Sequence, residues 1–397
     1  MNYNLRHLLC ALEIKQSGKL SVAAKSIHLS QSALTQGINK LESSLGELLF
    51  IRAHSGMFPT ASGERFLLRV ERAFQHLQNF ANALFANDKG KRHSFIRSVT
   101  IRQLNSLINI AELESYTAAA ARMHLTQPTL HRAIKDLENL CEQTLFTRTP
   151  SGVEPNWRAR QLRRYASLFF AELHQGIVEI GEQAGRMDGS ISIGSLPLAR
   201  TEIVPQCVLQ LVKEFPDAQV SVIDGPYEEQ LHALLHGQLD MIVGALRFPT
   251  PHEEIVQHSL FDDQLSIVVK AQHPLANRKQ ISNAELQALK WVAPSHGAPA
   301  RQVFTDLFKS RGIEPPSQLI ECSGLVTIRG ILLGSERAAL LPARQVDVEV
   351  KSGLLAVCPM PLVGTNRQIG LSTRKNWKPT LIQQRLIDII GERTVDE

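Results

Sequence analysis

Residues 28–42, HLSQSALTQGINKLE, return at residues 124–138 as HLTQPTLHRAIKDLE. A shift of 96 residues aligns Leu5–Pro59 with Ile101–Pro155 without a gap. Identities in that register include Arg6/Arg102, Ala23-Ala24/Ala119-Ala120, His28-Leu29/His124-Leu125, Gln31/Gln127, Leu34/Leu130, Ile38/Ile134, Leu41-Glu42/Leu137-Glu138, Phe50/Phe146, Arg52/Arg148 and Ser55-Gly56/Ser151-Gly152. At about 60 residues the unit is too long for a solenoid period of roughly 20–50 residues. It reads as a small domain present twice.

Each copy reads as three helices and a hairpin. Leu5–Ile14 and Ile101–Ile110 have helical apolar spacing. Ser21 and Thr117 suit the N-cap of a short Ala-rich second helix, and Ser30 and Thr126 that of a third. Pro128 is tolerated near the start of the third helix, where N–H groups have no intrahelical partner. Leu34, Ile38 and Leu41, like Leu130, Ile134 and Leu137, fall at i, i+4 and i+7 and form a stripe to bury. The opposite face is polar: Gln31, Thr35, Gln36 and Asn39 in copy one, Gln127, His131, Arg132 and Lys135 in copy two. A short strand ends at Phe50 or Phe146. Arg52…Ser55-Gly56 and Arg148…Ser151-Gly152 then supply hairpin-turn chemistry, a wing.

A three-helix bundle with one solvated face satisfies this periodicity as well as a helix-turn-helix does. A helix-turn-helix would set its polar third helix in a DNA major groove, where Gln, Asn, Arg and Lys reach base edges. Its first-turn N–H groups would meet phosphate. On that reading the candidate DNA contacts are Gln31, Ser32, Thr35, Gln36, Asn39, Lys40 and Arg52, then Gln127, Pro128, Thr129, His131, Arg132, Lys135 and Arg148.

Charge is unevenly spread. Residues 1–187 hold 23 Lys and Arg against 15 Asp and Glu, whereas residues 188–397 hold 20 against 23. A basic front and a mildly acidic back suggest a polyanion-binding half joined to something else. The five cysteines are odd in number and far apart, with no C-x-x-C knuckle, which fits a reducing compartment. The N-terminal MNYNLRHLLCALEIKQ breaks its apolar residues with charge, unlike a secretory leader. No apolar run is long enough to span a bilayer, so a cytoplasmic protein with no membrane partner is expected.

S-Q-S-A-L-T-x-x-I-x-x-L-E and T-Q-P-T-L-H-R-A-I-K-x-L-E resemble the recognition helix of LysR-type transcriptional regulators, as do the upstream A-A-x-x-x-H-L and downstream L-F-x-R of each copy. Copy two departs from the family at His131, where a small hydroxyl residue is usual. It also lacks the T-x-x-G that copy one keeps as Thr60…Gly63. Copy one departs at Gln36-Gly37, missing a basic residue and placing a glycine inside the helix. The family has one such domain, so two copies are themselves a departure.

A heptad seam follows each wing: Leu67, Val70, Phe74, Leu77, Ala81 and Leu84, then Ala166, Phe170, Leu173, Ile177, Ile180 and Ala184. The repeat therefore includes a long helix. The resemblance implies that this helix pairs two chains. For the first helix, packing within the chain fits equally; for the second an intermolecular seam is expected. Residues 88–98, NDKGKRHSFIR, read as a polar linker.

From Gly189 the pattern changes to short apolar strands (ISIGS, VSVID, LDMIVGAL, LSIVV, WVAPS, QLIEC, AALLP, LLAVC, QIGLS) alternating with helical stretches, which argues for a mostly parallel sheet. SIVVKAQHPLA resembles the crossing into the second lobe of LysR-type effector domains, and RQIGLSTRKNWKP the return. Ligands of open α/β sheets sit beyond strand C-termini and at helix N-termini. Gly194-Ser195-Leu196-Pro197 ends the first strand and Leu198–Thr201 starts its helix, with Arg200 and Thr201 able to meet a carboxylate. Candidate effector contacts are Ser195, Pro197, Leu198, Arg200, Thr201, Gly225, Pro226, Ala245 and Arg247, with Ser295, His296 and Ser323 across the cleft.

No G-x-G-x-x-G, P-loop or G-x-S-x-G occurs, and His232 and His236 lack the Glu and third ligand of a zinc site. No catalytic residue, metal or cofactor is expected. The expected architecture is α+β multidomain: two winged helix-turn-helix domains, each with a long linker helix, then a two-lobed α/β effector domain like periplasmic binding proteins. Boundaries fall at 1–60 (copy one), 61–98 (linker helix and linker), 99–156 (copy two), 157–187 (dimerisation helix) and 188–397. The last divides into lobe I, about 188–268 and 362–397, and lobe II, about 269–361. Such a protein would bind double-stranded DNA and a small, anionic effector as a homodimer or homotetramer, with RNA polymerase a compatible partner. The alternative is a cytoplasmic solute-binding sensor whose helical repeats serve oligomerisation.

Overall fold

The computed structural model describes residues 4–54, 56–150 and 152–395. It divides into a unit within 1–189 that also takes in His236–Gln238, and a unit within Ser190–Leu235 and 239–397. Among the described residues, no helix is long and apolar enough to cross a membrane.

The first unit runs α1 (Leu5–Ser17), α2 (Leu20–Ser26), α3 (Gln31–Leu45), β1 (Phe50–Ala53), β2 (Gly56–Pro59), α4 (Ala61–Leu84), α5 (Lys89–Ser98), α6 (Ile101–Leu113), α7 (Tyr116–Arg122), α8 (Gln127–Cys141), β3 (Phe146–Thr149), β4 (Gly152–Pro155) and α9 (Trp157–Gln183). The 96-residue register extends to the backbone. Gly18 and Glu114, Gly46 and Glu142, and His28 and His124 are all left-handed, with φ between 49° and 73°. The first two pairs end helices in the usual left-handed cap. Glu42 Oε1 accepts from Leu49 N and Glu138 Oε1 from Leu145 N, each at 2.8 Å. Thr60 caps α4 by accepting from Gly63 N, and Asn156 caps α9 by accepting from Ala159 N, both at 2.9 Å. Asn156 thus does the work of the threonine that copy two lacks.

Several expectations shift. Ser30 and Thr126 do cap α3 and α8, but α2 is preceded by Lys19 with no side-chain cap and α7 by Ser115, so Ser21 and Thr117 lie inside their helices. The wing strands begin at Phe50 and Phe146 rather than end there, pairing antiparallel with β2 and β4. The turn residues Ser55 and Ser151 lie outside the described residues. The supposed linker is largely the helix α5. Asp88 caps it by accepting from Lys91 N at 2.9 Å, and Phe95 is buried with its ring 5.5 Å from that of Phe80.

The largest correction concerns the second long helix. Its partner is α4 of the same chain. Phe74 meets Phe169 edge-on at 5.5 Å, Phe80 lies 6.4 Å from Tyr165, and the ring of Phe66 lies against Gly176. Rising numbers on α4 meet falling numbers on α9, so the pair is antiparallel. A Cβ at Gly176 would lie 3.0 Å from Arg69 Cβ, which shows how closely the helices approach. The seam residues of α4 are buried, with Leu84 half-buried; on α9, Phe170 and Ile177 are half-buried and Ala184 is exposed past the helix end. Buried positions such as Leu162, Phe169 and Gly176 widen that face, because α9 packs on α6 as well as on α4.

The second unit contains β5 (Ser190–Ser195), α10 (Ile203–Glu214), β6 (Gln219–Asp224), α11 (Tyr227–Leu235), β7 (Met241–Ala245), β8 (Ile255–Lys270), α12 (Asn283–Ala288), β9 (Lys290–Ala293), α13 (Pro299–Lys309), β10 (Leu319–Glu321), α14 (Leu325–Leu333), β11 (Arg337–Pro342), a 3-10 turn, α15 (Asp347–Lys351), β12 (Leu355–Val357), β13 (Asn366–Arg374) and α16 (Leu381–Val395). The sheet order is β10-β9-β11-β8-β13-β7-β5-β6, with β12 also on β8. The sheet is mixed, not mostly parallel. β5 is parallel to β6 and β7, and β9 to β10 and β11, but β8 is antiparallel to β11, β12 and β13, and β13 to β7. Sixteen-residue β8 pairs with β13 through its first part and with β11 and β12 through its last. Leu198–Thr201 is a turn; α10 starts only at Ile203.

Candidate functional site

Sequence and structure define two candidate sites, one in each unit. In the first, the stripe of Leu34, Ile38 and Leu41 is buried and so is that of Leu130, Ile134 and Leu137, which turns the opposite faces of α3 and α8 outward. Gln31, Ser32, Gln36, Asn39 and Lys40 are exposed on α3, and Thr35 is half-buried. On α8, Gln127, Pro128, Arg132 and Lys135 are exposed, while Thr129 and His131 are half-buried. Arg52 and Arg148 are exposed on the wings, and Arg52 Nη2 donates to Asn39 Oδ1 at 3.3 Å.

Both helical oddities have local causes. A Cβ at Gly37 would stand 2.9 Å from Cδ2 of His7, so the glycine makes room for an imidazole from α1. Burial, then nearby Lys40, lowers the pKa of His7 from its ordinary value, so the ring packs as a neutral group. In copy two, Ala133 occupies the position of Gly37. His131 stacks on Tyr116, with ring centroids 3.9 Å apart and planes 15° apart, so part of its surface is committed within the chain.

In the second unit a cavity of about 600 Å³ opens at the ends of β5, β6, β7 and β9. Ten expected residues line it: Pro197, Leu198, Arg200, Gly225, Pro226, Ala245, Arg247, Ser295, His296 and Ser323. Two do not. Ser195 lies beneath the wall, fully buried. Thr201 turns its hydroxyl back to donate to the Leu198 carbonyl at 3.0 Å, because the chain there is a turn and not a helix start. The sequence reading missed Asp224, Tyr227, Glu228 and Arg367. Tyr227 and Glu228 adjoin the recognised Gly225-Pro226, so the loop offered a signal. Arg367 offered none, since strand β13 brings it from much further along the chain.

Three arginines meet this cavity. Arg200 is tied down: its Nε donates to the Ser195 carbonyl at 3.0 Å and its Nη1 lies 3.4 Å from Asp224. Arg367 Nη2 donates to Asp263 Oδ2 at 2.6 Å, and its Nε is buried without a hydrogen bond. Burial holds the Asp263 carboxyl above its ordinary pKa despite that arginine. Arg247 lies over the Tyr227 ring at 4.2 Å, and its Nη1 is buried without a partner. Burial lowers its pKa from the ordinary value, which Tyr227 and Glu228 oppose. Tyr227 OH is also buried and unbonded. Buried donors left unpaired cost free energy unless something enters to accept from them.

Residues 184–394 match the family described as LysR substrate binding domain, more than half of the chain. Residues 5–64 and 101–160 each match the bacterial regulatory helix-turn-helix protein, lysR family. The chain belongs to the LysR family of transcriptional regulators. Its members are regulators, not enzymes, and this LysR-type regulator joins DNA-binding helix-turn-helix sequence to an effector-binding domain. It is 29% identical over 374 residues to the HTH-type transcriptional regulator GalR of Pseudomonas putida, covering 94% of this chain and 92% of that protein. It is 24% identical to PcaQ of Agrobacterium fabrum over 294 residues, 74% of this chain but 94% of that protein. The GalR likeness therefore extends into the extra N-terminal length of this regulator. Among solved structures, a full-length OxyR variant from Pseudomonas aeruginosa aligns with TM-score 0.56 at 21% identity over 74% of this chain and 93% of that one. CbnR aligns with TM-score 0.53 at 21% identity over 75% and 99%. At such identity these two show the LysR fold alone.

Proposed function

We propose that this regulator carries two winged helix-turn-helix domains, both of which read DNA, and that a small anion held at the cavity between two lobes of the effector domain controls them. The observation that carries the effector class is the set of buried donors without acceptors: Arg247 Nη1, Arg367 Nε and Tyr227 OH. A carboxylate brings the acceptor oxygens that such donors lack, and a cavity near 600 Å³ suits a small metabolite. The lobes correspond to residues about 188–268 with 362–397 and about 269–361, with β8 and the segment leading into β13 crossing between them. Effector affinity must differ between open and closed arrangements for binding to shift the regulator's state. The chain acts in the cytoplasm as a homo-oligomer, with RNA polymerase as its downstream partner.

DNA reading falls to α3 and α8 with their wings. Footprinting on DNA upstream of the protein's own gene tests this. Gln31→Ala/Gln36→Ala and Gln127→Ala/Arg132→Ala are each expected to erase a different part of the protected region. If only the second loses protection, copy one is structural. Salt supplies a second prediction: with six to ten phosphate contacts, affinity should fall about 10³–10⁵-fold between 50 and 200 mM salt. A flat salt response would return the helical repeats to the oligomerisation role of the solute-sensor alternative.

A further inference from the structure

Pairing of α4 with α9 is marked by charges that occur once, not twice. Arg69 on α4 is buried; its Nη1 donates to Glu172 Oε2 at 3.0 Å and to Gln175 Oε1 at 2.8 Å, and its Nε donates to Glu179 Oε1 at 3.0 Å. Arg72 grips Glu172 with two bonds, at 3.0 and 2.8 Å. The 96-residue register places His76, Asn79 and Ala83 in copy one where copy two has Glu172, Gln175 and Glu179. It places Tyr165 and Leu168 where copy one has Arg69 and Arg72. Pairing α4 with a second α4 would bury Arg69 against residues with no carboxylate. Pairing α9 with a second α9 would bury Glu172 beside Tyr165 and Leu168. Only the unlike pair compensates its buried charges, and a buried charge without a partner is strongly destabilising.

The antiparallel pair turns about a point near Phe74 and Phe169. The register makes Phe74 equivalent to Phe170, so this point is an approximate two-fold relating the copies. Each long helix begins where its wing ends, so the two heads lie at opposite ends of the pair. The starts of α4 and α9 are separated along the axis by about 37 Å at 1.5 Å per residue, close to the roughly 34–36 Å of one DNA turn. The reading faces differ. Gln36 and Asn39 suit adenine, whereas Arg132 and Lys135 suit guanine.

We infer that one chain presents a built-in pair of unlike reading heads, so the element it selects is two different half-sites in inverted orientation, one turn apart. This rests on the proposal above that both copies read DNA. Selection from a random duplex pool by the full-length protein tests it, repeated with Gln36→Ala/Asn39→Ala and with Arg132→Ala/Lys135→Ala. The wild-type protein should enrich one element with an adenine-bearing half and a guanine-bearing half. Each variant should lose sequence information in one half only, with affinity for the intact element down about ten- to a hundredfold. Two identical halves, a single half, or erosion of both halves by one variant would overturn the built-in pair while leaving DNA reading in place. Failure to enrich any element with any of the three proteins would instead remove the DNA reading of α3 and α8, and the inference with it.

Discussion

Arg69→Ala should lower the unfolding free energy of the helical unit by up to about 3–5 kcal/mol, the cost of breaking a buried ion pair from one side. Glu179 would lose its cation, Glu172 would keep only Arg72, and the α4–α9 seam would loosen beside Gly176, where a Cβ would stand 3.0 Å from Arg69 Cβ. Arg72→Ala should cost less, because Arg72 is partly exposed and Glu172 keeps Arg69. Urea unfolding followed by helical circular dichroism measures both; a loss below about 1 kcal/mol for Arg69→Ala would show that the network contributes little. The same network sets an acid limit. Burial pushes the Glu172 carboxyl up, but Arg72 and Arg69 outweigh it, and the pKa ends below its ordinary 4.5. A depressed carboxylate stabilises the fold above its unfolded value, and that contribution is lost as pH falls from about 4.5 through the folded value. Wild-type stability should therefore fall over that window, and the Arg69→Ala protein should show a shallower fall.

Arg247→Ala should abolish the response to small anions without unfolding the effector domain. The guanidinium has a buried, unbonded Nη1 and a pKa lowered first by burial, so it is held in place at a cost. Removing it should leave the melting temperature of the free protein unchanged or slightly higher. Affinity for an anionic effector should drop by about 2–5 kcal/mol, because the ligand's charge would be buried without its cation. Thermal shift against a panel of small aromatic and aliphatic carboxylates, run on both proteins, checks this. A wild-type shift that survives in Arg247→Ala would place the ligand elsewhere. A large fall in the free protein's melting temperature would make Arg247 a structural residue. Tyr227→Phe gives a finer reading, since it removes only the unbonded hydroxyl and keeps the ring beneath Arg247.

Much of the local structure was legible because it depends on neighbours in sequence. The i, i+4, i+7 stripes of α3 and α8 are buried as their spacing requires, and Ser30 and Thr126 cap where a hydroxyl before an apolar-periodic run should. Helix α5 escaped notice because its charged surface hides two buried anchors, Phe95 and Ile96, and Phe95 packs only because Phe80 is brought beside it. The first half of β8, Ile255–Gln264, escaped for a similar reason. Its residues follow no simple alternation, and pairing with β13 holds it extended. The cavity was readable where strand ends carry Gly, Pro and Ser, and unreadable where β13 delivers Arg367 from far along the chain.

The amino-acid sequence alone determined that one stretch of about 60 residues with its following long helix occurs twice, that its helices carry apolar stripes, and that the chain resembles LysR-type regulators. Those properties are local or comparative, so they survive without a fold. Only the tertiary structure decided what covers the long helices. A heptad stripe states that a helix needs a partner but not which one, and both α4 and α9 carry such a stripe. In the folded chain α4 and α9 lie antiparallel, where Arg69 and Arg72 meet Glu172 and Glu179, a pairing of unlike charges that two copies of the same helix would not offer.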